Sequence, residues 1–220
     1  MFLHADPETN APAVHMKNVF NKEQLKGLIA NIKTNSPAVK ATHLKDGKFL
    51  SDEEGVRKST VRWFWDQDFE SVMRQAVDVA NYISGWRYDI VKPEILQFTE
   101  YEKGGYYSLH TDGNGCHKGA RDWQTTAEQQ NLEQTRDPQL LGTVRKLSVT
   151  VILNDNYEGG ELQFVKQGYL GEEAKLITTE IKPEVGSAIV FPSYVHHRVK
   201  PVTKGTRYSI VAWYGGPPFK

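Results

Sequence analysis

A histidine and an aspartate one residue apart in "SLHTDG" (108–113) are side chains that hold divalent metals, and "FPSYVHHRVKPV" (191–202) offers a third ligand. Successive strand residues point to opposite faces, so His110 and Asp112 share a face wherever this segment is extended. An HxD pair is common by chance, so the third ligand must carry the argument. By the same parity His197 lies with Val199, and His196 with Arg198 and Lys200. The apolar side belongs inward, so His197 is assigned to the interior and His196 to the rim or solvent. The competing reading of His197 is a hydrogen-bonded core histidine.

The following segment, "TRYSIVAWY", places Arg207, Ser209, Val211 and Trp213 on one face. A guanidinium among buried residues is costly unless an anion satisfies it, and its planar fork matches a carboxylate. Arg207 therefore predicts either an internal Asp or Glu, or an acidic ligand near His197. Upstream, Gln97, Thr99 and Tyr101 share one face of "EILQFTEY", and Ser148 and Thr150 share one face of "RKLSVTVIL". Such strands suit either a barrel with a polar pocket or a sheet face open to water. Two histidines and one carboxylate on one side of a metal form the facial triad typical of non-haem Fe(II), which leaves three coordination positions open. A bidentate 2-oxo acid can fill two and dioxygen the third, with the arginine gripping the far carboxylate of the acid.

The composition narrows the partners. The 27 basic and 27 acidic side chains cancel, which argues against nucleic acid and against an anionic membrane surface. A single cysteine, Cys116, rules out an intramolecular disulfide and any multi-cysteine metal site. The opening "MFLHADPETNAPAV" resembles no signal peptide, and no stretch approaches the roughly 20 apolar residues of a membrane span, so a cytoplasmic location is expected.

The elements that must position these groups follow from periodicity. Residues 1–13 are expected to form a flexible lead-in to a single domain spanning 1–220. Asn21 is a plausible N-cap for "KEQLKGLIANIK", whose Leu25, Leu28, Ile29 and Ile32 fall at helical spacing. Residues 41–55 are polar and loop-like, and "RKSTVRWFW" then suits a strand, with Trp63, Phe64 and Trp65 expected in the core. A second helix is predicted from about Asp68 to Ser84, closed by Gly85. Short strands are predicted at 94–101, 106–112, 145–153, 161–165, 187–191, 196–202 and 206–214, a spacing typical of barrels and sandwiches. The long polar insertion at 113–144 is a candidate lid and substrate-contact loop, with Trp123 a possible anchor and with Cys116 and His117 read as bystanders. No feature sets an oligomeric state.

These residues together resemble the Fe(II)/2-oxoglutarate-dependent dioxygenases, and more narrowly the prolyl 4-hydroxylase-like branch that includes PKHD-type hydroxylases. The likeness rests on "RKSTVRWF" (57–64), "EYEKGGYYSLHTD" (100–112), "RKLSVTVILNDNYEGGELQF" (145–164) and "GSAIVFPSYVHHRVKPVTKGTRYS" (186–209). It implies a mainly β double-stranded β-helix, jelly-roll or cupin-like, with N-terminal helices packed on its major sheet. It implies metal ligands His110, Asp112 and His197, the last six residues after Phe191. Arg207, ten residues on, would take the distal carboxylate of 2-oxoglutarate, aided by Tyr101 and, among the interior hydroxyls, Ser148 and Ser209.

The activity implied is hydroxylation of an unactivated C–H bond, using Fe(II), 2-oxoglutarate and O2, with ascorbate as supporting reductant and release of succinate and CO2. The expected substrate is a prolyl or other amino-acyl residue in a peptide, protein or amino acid. Two alternatives stand beside it: a nucleic-acid or nucleoside-modifying oxygenase of the same superfamily, disfavoured by the neutral charge, and a non-catalytic cupin-like binding module, which would have no use for an open iron face.

Overall fold

The computed structural model describes residues 2–4, 13–41, 43–45, 48–50, 55–113, 138–170, 173–181 and 183–219. Its first helix, α1 (Lys22–Asn35), begins where the sequence places a cap. The Asn21 side chain accepts from the Gln24 backbone amide at 2.9 Å, and the Gln24 side chain accepts from the Asn21 amide at 3.1 Å. This reciprocal pair satisfies two amides that the helix itself leaves free. The second helix, α2 (Gln67–Ile83), is capped by Asp66 and ends before Gly85, whose φ of 75° only glycine adopts without strain.

Two antiparallel sheets face one another. The larger runs in the order Phe2–His4, Val14–Lys17, Ala188–Pro192, Val144–Ile152, Arg207–Gly216, Leu96–Tyr101, Thr60–Phe64 and Val39–Lys40, with Lys92–Pro93 paired beside Arg207–Gly216. The smaller runs Glu173–Ile181, Leu162–Leu170, His196–Val199, Tyr106–His110 and Arg57–Lys58. Chain-adjacent strands repeatedly fall in opposite sheets, which is the jelly-roll arrangement expected from the sequence.

The period-2 alternation divides the core in two. On the outer face of the large sheet Leu96, Phe98, Leu147, Val149, Val151, Ala188, Val190, Ile210, Ala212 and Tyr214 pack with Leu25 and Ile32 of α1 and with Phe69, Met73, Ala76 and Val77 of α2. Between the sheets Tyr101, Ile152, Ile189 and Phe191 meet Leu162, Phe164, Val199 and Val202. The helices are thus bolted to the major sheet and leave the barrel interior to other residues.

Several expectations need correction. Residues 2–4, assigned to a flexible lead-in, form an edge strand with Phe2 opposite Lys17 and His4 opposite His15. The 41–55 stretch, read as loop, contains a hairpin of His43–Lys45 and Lys48–Leu50. Of the three aromatic residues after Val61, only Phe64 is buried in the core, while Trp63 is half-buried and Trp65 is 49% exposed. Strand parity accounts for the difference between Phe64 and its neighbours.

Candidate metal centre

Tyr106–His110 and His196–Val199 are neighbours in the small sheet, and their register sets His110 directly opposite His197. The two imidazoles lie 4.2 Å apart between centroids. Asp112 follows two residues on, and one donor atom from each of His110, Asp112 and His197 falls within 4.8 Å of the others. His110 Nε2 is 3.6 Å from Asp112 Oδ1, and His197 Nε2 is 3.5 Å from Asp112 Oδ2.

Both ring orientations are fixed from behind. His110 Nδ1 bonds the Ser108 carbonyl at 2.8 Å and His197 Nδ1 the Val195 carbonyl at 2.9 Å. A carbonyl only accepts, so each Nδ1 carries a proton and each Nε2 is left facing the carboxylate. Burial pushes the His197 ring below its ordinary value, against the pull of Asp112. Burial alone would raise the Asp112 carboxyl, but His197, His110 and Arg145 outweigh it and hold the group far below the usual carboxylate range. Asp112 Oδ2 is buried without a hydrogen-bond partner. Two imidazole Nε2 atoms and an ionised carboxylate whose Oδ2 has no hydrogen-bond partner converge on one point, an arrangement that a cation among them stabilises. The donor set therefore fits a divalent metal, and its two-histidine, one-carboxylate chemistry fits iron.

Neighbouring groups complete the frame. Tyr107 stacks on the His110 ring at 3.5 Å, with the Arg57 guanidinium 4.6 Å above Tyr107 and anchored on Ser59 Oγ at 2.8 Å. Arg145 is gripped by both carboxylate oxygens of Glu94, donates from Nη1 to the Asp112 carbonyl at 3.1 Å, and lies 4.1 Å over the Trp213 indole. The Gly113 amide donates to the Ser193 carbonyl at 2.8 Å. His196 is exposed, on the opposite side of its strand from His197.

Arg207 stands opposite Tyr101 in the large sheet and is 1% exposed. Its Nη1 donates to Ser209 Oγ at 2.9 Å, its guanidinium lies 5.4 Å from the Tyr101 ring, and its Nε is buried without a hydrogen-bond partner. Among the described residues no carboxylate forms an ion pair with it. Of the two outcomes the sequence allowed, an internal acid is not seen among the described residues. Arg207 also lines a cleft of about 490 Å³ together with Tyr157, Gly160, Leu162 and Ile181. Gln97, Thr99, Ser148 and Thr150 are buried rather than solvated, so the polar faces do look inward. Ser148 is engaged with Ser193 through their hydroxyls at 2.9 Å. Most of the insertion, residues 114–137 with Cys116, His117 and Trp123, lies outside the described residues.

The sequence reading did not single out Arg145, Glu94 or Tyr107. Only Tyr107 left a signal there, three residues before His110.

A jelly roll carrying a two-histidine, one-carboxylate cluster that could hold a metal ion, together with a buried arginine, defines a class of barrel with a candidate metal centre. Residues 96–215 match the model of the 2OG-Fe(II) oxygenase superfamily, and the chain belongs to that family. A PKHD-type hydroxylase of Hyphomonas neptunium is 36% identical over 120 residues, 53% of this chain and 41% of the relative. Prolyl 3-hydroxylase 2 of Homo sapiens is 39% identical over 74 residues, 33% of this chain and 10% of that protein. The matched region thus spans well under half the length of these curated relatives. Among solved structures, a Pseudomonas putida prolyl-4-hydroxylase superposes with a TM-score of 0.59 at 18% identity, covering 93% of this chain and 92% of that one. The viral collagen prolyl hydroxylase of Paramecium Bursaria Chlorella virus-1 gives 0.57 at 19% identity, with 94% and 97% covered. At these identities the structural likeness speaks for the fold. Among the described residues no helix is long and apolar enough to cross a membrane.

Proposed function

We propose that this chain is an Fe(II)- and 2-oxoglutarate-dependent hydroxylase acting on an unactivated C–H bond of a prolyl or other amino-acyl residue in a peptide or protein. The observation that carries the reading is the convergence of His110, Asp112 and His197 on one point with an unpartnered carboxylate oxygen, inside the barrel that also buries Arg207. Iron bound there would supply the centre at which 2-oxoglutarate and dioxygen meet, so that one oxygen atom leaves in succinate, alongside carbon dioxide, and the other becomes the product hydroxyl.

The chain's own residues would do the rest. His110 and His197, held by the Ser108 and Val195 carbonyls, would present their Nε2 atoms to the metal, and Asp112 its carboxylate. The Arg207 fork takes the distal carboxylate of the co-substrate, with Ser209 and the Tyr101 hydroxyl beside it and Ser148 on the same interior wall. Exclusion of water falls to the apolar lining of Ile152, Leu162, Phe164 and Phe191. The peptide or protein substrate is supported by the prolyl hydroxylases among the relatives, and the 113–144 insertion is its proposed contact loop.

The test is iron-dependent succinate formation from 2-oxoglutarate by the purified protein, with ascorbate as reductant. His197→Ala should abolish it and His196→Ala should largely preserve it. The reverse pattern would sink the assignment. A screen of peptides for a mass gain of one oxygen identifies the substrate class.

A further inference from the structure

Three bonds that fix the candidate metal centre converge on one turn, residues 192–195, between Ala188–Pro192 and His196–Val199. The Ser193 carbonyl accepts from the Gly113 amide at 2.8 Å, next to Asp112. The Ser193 amide donates to the Lys146 carbonyl at 3.0 Å, beside the Arg145 that holds Asp112 from the other side. The Val195 carbonyl sets the His197 ring. Between these two residues stands Tyr194, whose side chain points away from the centre and remains 44% exposed.

An exposed tyrosine in a turn is ordinarily free to move, but this one is clamped. Its hydroxyl meets the Tyr88 hydroxyl at 3.1 Å. The Phe219 ring stands edge-on to Tyr194 at 6.4 Å and to Tyr88 at 5.3 Å. Lys146 Nζ lies 3.3 Å from the Phe219 ring centre, and Trp86 stacks behind Tyr88. Three residues after Arg207–Gly216, Phe219 is thus seated against Tyr88, Tyr194 and Lys146, beside the turn that contacts two of the candidate ligands.

We propose that Tyr194, locked by Tyr88 and Phe219, is a positioning residue for the metal centre. Its ring holds the turn so that the Ser193 and Val195 carbonyls keep Asp112 and His197 in the geometry that binds metal. This rests on the metal-centre assignment above. Groups one step behind metal ligands commonly change affinity by a decade or more when removed. The aromatic contacts are of matching strength.

The experiment is anaerobic titration of the full chain with Co(II), whose visible absorption reports both affinity and ligand geometry, together with thermal melting of the metal-free protein. Tyr194→Ala and Phe219→Ala should each weaken Co(II) binding about tenfold and alter the absorption bands. Tyr194→Phe keeps the ring but loses the hydroxyl contact with Tyr88, and should weaken binding by about threefold, between the parent and the alanine variants. Phe219→Ala removes a half-buried ring outside both core clusters, so it tests the idea even where Tyr194→Ala fails to fold. If both alanine variants bind Co(II) with unchanged affinity and spectrum, whatever their melting points, the proposal is overturned. If the parent binds no Co(II), or His197→Ala binds it equally well, the metal-centre assignment fails instead.

Discussion

His196 and His197 are chemically identical, and only the side of one strand on which each falls separates a surface residue from a candidate ligand. That distinction was legible before any coordinates because a strand alternates with period two and Val199 marks the inner side. Arg207 was legible in the same way, as a cation on a face otherwise destined for burial. Arg145 was not: it opens a strand and looks like a surface charge, and its partner Glu94 is 51 residues away in sequence. Arg207 is buried with one hydrogen bond and one idle Nε, a costly arrangement in a folded protein. Arg207→Met should therefore leave the melting temperature unchanged or raised. A charge-assisted pair contributes about 1.5–3 kcal/mol, so the same change should raise the KM for 2-oxoglutarate by roughly ten- to a hundredfold, with Fe(II) affinity retained. Steady-state kinetics and a melting curve check both halves. An unchanged KM would make Arg207 a structural residue.

At the scale of elements, both helices were readable from their 3.6-residue stripes, with Asn21 marking the start of the first and Gly85 the end of the second. The strand Glu173–Ile181 was not, because "EAKLITTEI" mixes charges and threonines without a clean apolar side, and it lies at the edge of the small sheet, where the pattern is least constrained. The glycine pair of "YEGGEL" acquires its reason only in three dimensions. Gly160 has φ of +66°, and a Cβ placed on it would lie 2.9 Å from Arg207 Cδ. Gly160→Ala should push Arg207 out of line, raising the KM for 2-oxoglutarate several-fold while metal binding stays as in the parent. Calorimetric titration with Mn(II) separates the two effects.

The contact of α2 with the sheet carries a pH dependence of its own. Burial raises the Glu70 carboxyl above its ordinary value, against Arg74 and a long 3.5 Å bond from the Tyr214 hydroxyl. The folded protein resists ionising Glu70 while the unfolded chain ionises it freely. Stability from this group is thus complete below the ordinary glutamate range and is lost as pH rises through the folded-state value. Glu70→Gln should raise the melting temperature at pH 7, and the gain should vanish near pH 4. A gain independent of pH would point to packing rather than charge.

For the whole molecule, the two core clusters divide the labour. The outer one, between large sheet and helices, gathers most of the buried apolar side chains, with Glu70 and the Tyr214 hydroxyl as its polar exception, so the barrel interior can spend residues such as Arg207, Ser209, Thr99 and Asp112 on chemistry. Metal bound at the candidate centre would then stabilise the native state without being required for folding. Binding to the native state alone contributes about 2.7 kcal/mol when the free ion is at a hundred times its dissociation constant. For a domain of this size that is roughly a 5–10 °C rise in melting temperature. Saturating Mn(II), used to avoid oxidation, should produce such a rise in the parent and none in His197→Ala. Adding 2-oxoglutarate without oxygen should raise it further only when metal is present, because the proposed chelation needs metal and Arg207 together. Arg207→Met should keep the metal-induced rise and lose the second increment. If 2-oxoglutarate stabilised the metal-free protein equally, the acid would be binding elsewhere, and the joint site at the barrel centre would be refuted.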